Sequence, residues 1–210
     1  MERKSHLGKW LLSVLALHGA LIAWLVLDPP LAPFMQTADG ADETALLLWT
    51  RYTARISFVY FLFTFIASPL RGLMGGLIAN ATTKFIRQYR RELGLSFALS
   101  HTIHLGALIA YLNSGDYPAP ASLLIGGGLG YLAMFLMAAT STQWGYTRLG
   151  VNGWRYLHKT GIHILALIFA FVYSGKAIAE PSPIHIALFS ALVLCYVLRL
   201  IDFFRKRSRQ

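Results

Sequence analysis

Six apolar runs divide this chain, and their length decides what it can fold into. They lie at about residues 9–27, 52–69, 92–112, 122–139, 154–173 and 184–203. A bilayer core of about 30 Å asks for about 20 apolar residues in a helix. Backbone groups inside lipid find no water, so a run of this kind must satisfy them as a helix. The expected fold class is therefore all-α: an integral membrane bundle of six transmembrane helices in a single domain, residues 1–210. Composition agrees, since only 13% of residues are charged, against about 25% in soluble domains.

The segments between the runs carry the breakers. Asp28-Pro29-Pro30 ends the first run, because proline cannot continue the hydrogen-bond ladder. Residues 31–50 read as an acidic loop with Asp39, Asp42 and Glu43, and with a short interfacial piece at Leu46 to Trp49. The second helix is expected to stop at Pro69. A basic connector follows, including a short amphipathic helix from Thr83. The stretch Asn113 to Pro118 is a turn, and residues 140–154, TSTQWGYTRLGVNGW, read as a polar, aromatic loop. The start, MERKSHLGKW before an apolar run, resembles a signal peptide, but no small-x-small pattern follows. An uncleaved first membrane helix is the expectation. Gly126, Gly127, Gly128 and Gly130 lie in the fourth run with no strand before them. They read as a close-packing face rather than a phosphate loop.

Charge sets direction. The net charge is +10, yet the cations cluster between apolar runs, so a topology signal fits and a nucleic-acid partner does not. With six spans, one side carries 16 of the 19 Lys and Arg, and the other only Arg51, Arg55 and Lys176. Both termini are then expected to be cytoplasmic in a multi-pass protein of the cell inner (plasma) membrane, with the acidic loops outside. The basic faces favour anionic lipid.

Ionisable groups deep in a membrane usually have a job. Helix 3 carries His101 and His104, and helix 5 carries His158 and His163. Both helices run outward from a basic edge, so depth can be counted. His101 lies about 15 Å past Arg91 and His104 about 20 Å; His158 lies about 4.5 Å past Arg155 and His163 about 12 Å. Histidine nitrogen is a normal axial ligand of haem iron. By depth His101 with His163 is the level pair, and His104 with His163 needs a tilt. His101 and His104 share one helix face, whereas His158 and His163 are about 140° apart. Arg90, Arg91, Arg155 or Lys159 are candidate propionate partners. Cys195 stands alone and no Cys-x-x-Cys-His occurs, so a haem would be non-covalent haem b, one or two per chain. Direct copper, iron or zinc binding is disfavoured, since no carboxylate sits near these histidines. His18 reads as an interhelical hydrogen-bond partner and His185 as an interfacial residue.

Three stretches stand out: RYTARISFVYFLFTFIASPLR at 51–71, RRELGLSFALSHTIH at 90–104 and TSTQWGYTRLGVNGWRYLH at 140–158. They resemble the ferric-reductase-type transmembrane family, most closely its MsrQ branch, the haem-containing membrane subunit of a methionine sulfoxide reductase system. The order is right, and the three span the middle two-thirds of the chain. The resemblance places the helix 3 haem histidine on His104 and the first helix 5 histidine on His158. The branch has a further histidine thirteen positions on; that position is Phe171 here, while His101 and His163 are extra. What the resemblance implies is a six-helix bundle, b-type haem and electron transfer through the membrane.

The chain has no Rossmann unit and no room for one. Electrons would come from a quinol, a membrane-associated flavin or a partner dehydrogenase, and go to a partner protein or acceptor. The expectation is an electron-transfer subunit rather than a complete enzyme. The rival reading is a non-redox membrane protein, a small transporter or assembly factor with structural histidines.

Overall fold

The computed structural model describes residues 6–27, 45–73, 81–114 and 121–208. The expected Asp28-Pro29-Pro30 stop, the acidic residues Asp39, Asp42 and Glu43, connector residues 74–80 and most of the turn at 113–118 lie outside the described residues. So do the side chains of Arg71 and Arg87. Every described element is a helix: α1 Leu7–Leu27, α2 Ala45–Leu73, α3 Ala81–Gln88, α4 Arg90–Asn113, α5 Ala121–Ala139, α6 Gln143–Ala179 and α7 Pro183–Arg207. Five of them, α1, α2, α4, α6 and α7, are long and apolar enough to cross a membrane; α5 contributes a shorter apolar stretch, Leu124–Ala139.

Burial is inside-out. Thr53, Ser57 and Ser100 are fully buried, while Ile125, Leu167, Phe171 and Ile178 are largely exposed. Water would penalise that arrangement. Lipid favours it, because lipid tails are as apolar as leucine and helices gain by bonding polar side chains to one another.

Four boundaries differ from the sequence expectation; one is the end of α6, which runs to Ala179 rather than stopping near residue 173, and the other three have local reasons. The second helix starts at Ala45, taking in the piece at Leu46 to Trp49. No breaker separates that piece from Tyr52, and the Thr50 hydroxyl bonds back to the Leu46 carbonyl at 2.9 Å. The same helix runs through Pro69 to Leu73. Residues 143–149 are helical rather than a loop, because the Thr142 side chain accepts from the Gly145 amide and caps them. Gly150 then breaks α6, at φ 66° and ψ 172°. That region of backbone space is essentially glycine's alone. A Cβ at Gly150 would meet nothing within 4 Å, so Gly150→Ala tests the backbone rather than crowding. It should cost about 1–3 kcal/mol in thermal or denaturant unfolding; unchanged stability would show that α6 continues straight through this point.

The chain falls into two compact units, Met1–Tyr60 with Leu95–Pro120 and Phe61–Gly94 with Ala121–Gln210. Helices α2 and α4 contribute residues to both. In the first unit Val14, Phe58 and Ala107 are fully buried, and the Trp24 and Tyr52 rings meet edge to face at 5.6 Å. In the second, α6 packs against α5 and α7. Phe61 stacks on Phe65 at 5.4 Å and leans on Phe169 at 4.8 Å. The close approach of α5 and α6 needs Gly161, where a Cβ would lie 2.8 Å from the Met137 sulfur. Of the four glycines expected to form a packing face, only at Gly130 would a Cβ meet side chains within 4 Å, those of Ile168 and Leu165.

Candidate functional site

A ladder of polar contacts runs through the first unit. On α2, Thr50, Thr53 and Ser57 are three and four residues apart, so they share one helix face. On α4, Ala107, His104 and His101 do the same in the opposite direction. The rungs pair in register. Thr50 Oγ1, whose proton is shared between the Leu46 and Ala107 carbonyls, lies 3.1 Å from the Ala107 oxygen. Thr53 Oγ1 lies 3.2 Å from His104 Nδ1, and Ser57 Oγ lies 2.9 Å from His101 Nδ1. The two imidazoles are neighbours, with ring centroids 5.2 Å apart.

Proton bookkeeping gives one consistent assignment. A hydroxyl has one proton. Ser57 gives its proton to the Ala54 carbonyl at 2.8 Å, and Thr53 gives its to the Trp49 carbonyl at 2.7 Å. A carbonyl has no proton to offer, so each hydroxyl oxygen is left as an acceptor toward the ring. With the hydroxyl protons on those carbonyls, His101 and His104 donate from Nδ1 and carry the ring lone pair on Nε2. A histidine tethered through one nitrogen and basic at the other is the usual condition of a metal-ligating imidazole.

His18 has the opposite arrangement. Its Nδ1 donates to the Val14 carbonyl at 2.9 Å. Its Nε2 is 3.2 Å from Ser100 Oγ and must accept. Both nitrogens are occupied in a buried contact between α1 and α4, the interhelical role expected for it.

The second unit holds the other two histidines. His158 Nε2 lies 3.1 Å from Thr140 Oγ1. Thr140 Oγ1 is also 2.7 Å from the Leu136 carbonyl; with its proton there, His158 donates from Nε2, the nitrogen an axial ligand would need. Its ring stacks on Trp154 at 4.3 Å, and Trp154 Nε1 donates to the Thr140 carbonyl. His163 is free of such ties: among the described residues neither ring nitrogen has a hydrogen-bond partner. It stands edge-on to Phe65 at 5.9 Å and beside Tyr196 at 6.4 Å. The candidate propionate partners divide as well. Arg91 Nε donates to the Ser141 carbonyl at 3.1 Å, and Arg155 is exposed.

Near His163 lies a feature with no counterpart in the sequence reading. Pro69 inside α2 removes the amide that would bond the Phe65 carbonyl. Arg199 of α7 supplies the missing donors, with Nη2 at 2.8 Å and Nε at 3.2 Å from that oxygen. Its guanidinium carbon sits 3.9 Å from the Phe65 ring centroid. One turn and a half further on, Arg205 donates to the Leu73 carbonyl at 3.1 Å, at the C-terminal end of α2. At the other end of α7, His185 Nδ1 donates to the Glu180 carbonyl at 2.8 Å and so ties down the turn from α6.

The hydroxyl ladder could have been sought in the sequence. Thr50, Thr53 and Ser57 are polar residues at helical spacing inside an otherwise apolar run, as are the histidines opposite. Arg199 could not, because its partner is a backbone oxygen.

Among the described residues no three His, Cys, Asp or Glu side chains converge to hold a metal ion directly. Comparison with protein-family models, with curated proteins and with solved structures finds no match.

Proposed function

We propose that this chain is a b-type cytochrome of the inner (plasma) membrane, relaying electrons through haem to a partner protein in the manner of the ferric-reductase-like family and its MsrQ branch. The observation that supports it most is that the Nδ1 atoms of His101 and His104 each face a buried hydroxyl. Two intramembrane imidazoles, each donating from Nδ1 to a buried hydroxyl, are left basic at Nε2, where haem iron is ligated. The donor set fits the group. His104, with His101 as alternate, is the candidate ligand in the first unit. His163, whose nitrogens have no hydrogen-bond partner among the described residues, is the candidate ligand in the second. His158 would first have to release Thr140. Arg91, Arg155, Arg90 and Lys159 remain the cations for the propionates. Haem iron, when bound, supplies a one-electron couple; the chain supplies ligand identity, orientation and a water-poor setting.

The same reading takes α5 as the sixth span. Its 19 residues reach about 28 Å at 1.5 Å each, close to a bilayer core. Both termini then face the cytoplasm, one domain serves the whole chain, and a quinol, flavin or partner dehydrogenase is the donor.

The test is a visible spectrum with haem quantified per chain, on protein purified from haem-replete cells. A Soret band with about one haem per chain is expected for one site. Protein without it would replace this reading by the non-redox one, in which all four histidines serve packing as His18 does. His18→Ala is the matched control. It should cost about 1–3 kcal/mol of stability through its broken bonds and leave haem per chain unchanged. Lost haem at retained stability would move His18 into the site.

A further inference from the structure

The ligand histidines come with their own tuning groups. Ser57 and Thr53 are fully buried, so no water stands in for their oxygens. Each hydroxyl is held by its own helix, through the bonds to the Ala54 and Trp49 carbonyls. Each therefore presents a fixed acceptor to one imidazole, at 2.9 Å for His101 and 3.2 Å for His104. The spacing four on α2 meets the spacing three on α4, so the two rungs hold both rings at once.

We propose that Ser57 and Thr53 are positioning residues that lock the tautomer of the α4 haem ligand and hold its potential low. This rests on the haem reading above. An Nδ1–H that donates to an acceptor pushes electron density into the ring and makes Nε2 the stronger base. A stronger donor favours ferric over ferrous iron. Removing the acceptor weakens the donor, so the midpoint potential must rise and ferric affinity must fall more than ferrous. Because each hydroxyl serves a different ring, the one that matters identifies the ligand: Thr53 if it is His104, Ser57 if it is His101.

The experiment titrates the midpoint potential of the full-length protein in detergent, alongside haem affinity, for Ser57→Ala, Thr53→Val and the conservative Ser57→Thr and Thr53→Ser. The expected result is an upward shift in one of the first two, with haem affinity roughly 10- to 100-fold weaker, and wild-type values in its conservative partner. Wild-type potential in both Ser57→Ala and Thr53→Val would overturn the proposal. So would weaker binding that is equal for the two oxidation states, which is what a packing role gives. If Ser57→Ala or Thr53→Val does not fold, Ser57→Cys and Thr53→Cys keep a weaker acceptor in place, and an intermediate upward shift is required of one of them. Failure of the haem reading itself is seen earlier and separately, as wild-type protein without a Soret band.

Discussion

His163→Ala is expected to abolish the Soret band, or leave haem that dissociates during purification, while the protein remains folded in detergent. His104→Ala should do the same if it is the α4 ligand; His101→Ala should do so if the pair matched by depth is the true one. His158→Ala should retain haem, because its Nε2 already donates to Thr140 at 3.1 Å. The measurement is haem per chain from the visible spectrum, with helicity checked by circular dichroism. Haem lost in His158→Ala and kept in His163→Ala would reverse the choice on α6 and restore the ligand that the family resemblance implies. Phe171 bears on this. The branch has a histidine at that position, but here the side chain is 75% exposed, on a face turned outward. His163 reaches inward to Phe65 and Tyr196 instead.

The second large effect concerns Arg199. Replacing it by leucine leaves the Phe65 carbonyl with no donor, since Pro69 cannot supply one. An orphaned buried carbonyl costs about 1–3 kcal/mol. Pro69→Ala returns an amide to the helix, so the double variant should be less destabilised than Arg199→Leu alone. The expected coupling is about 1 kcal/mol, in the range of interhelical hydrogen bonds in membranes. A double-mutant cycle by denaturant unfolding measures it. Additive losses would mean that Arg199 stabilises α2 through its contact with the Phe65 ring and not through the carbonyl.

Much of the architecture was legible because it follows from local rules. The long apolar runs, the short amphipathic helix near Thr83 and the breaks near 114, 140 and 180 can be read from hydropathy and from Gly, Pro and Ser. The errors have a common cause. Pro69 stops a helix when its freed carbonyl stays empty; here Arg199, 130 positions later, fills it. The stretch after Thr142 looks like a loop by polarity, yet its cap and Gly150 make it a short helix before a break.

The histidines divide in the same way. Their depth and shared face are properties of one helix, so His101, His104, His158 and His163 stand out from spacing alone. Which nitrogen each one offers is not a property of one helix. It depends on whether the hydroxyl opposite has already spent its proton on a backbone carbonyl, as Thr53, Ser57 and Thr140 have. Sequence alone thus determines that this is a helical chain with apolar runs of membrane-spanning length and histidines deep within them. Tertiary structure alone decides that His18 is held at both nitrogens, that His158 Nε2 faces Thr140, and that the Nδ1 atoms of His101 and His104 face Ser57 and Thr53. The reason is physical: hydropathy is summed along one segment, while a hydrogen bond needs a donor and an acceptor brought together from two.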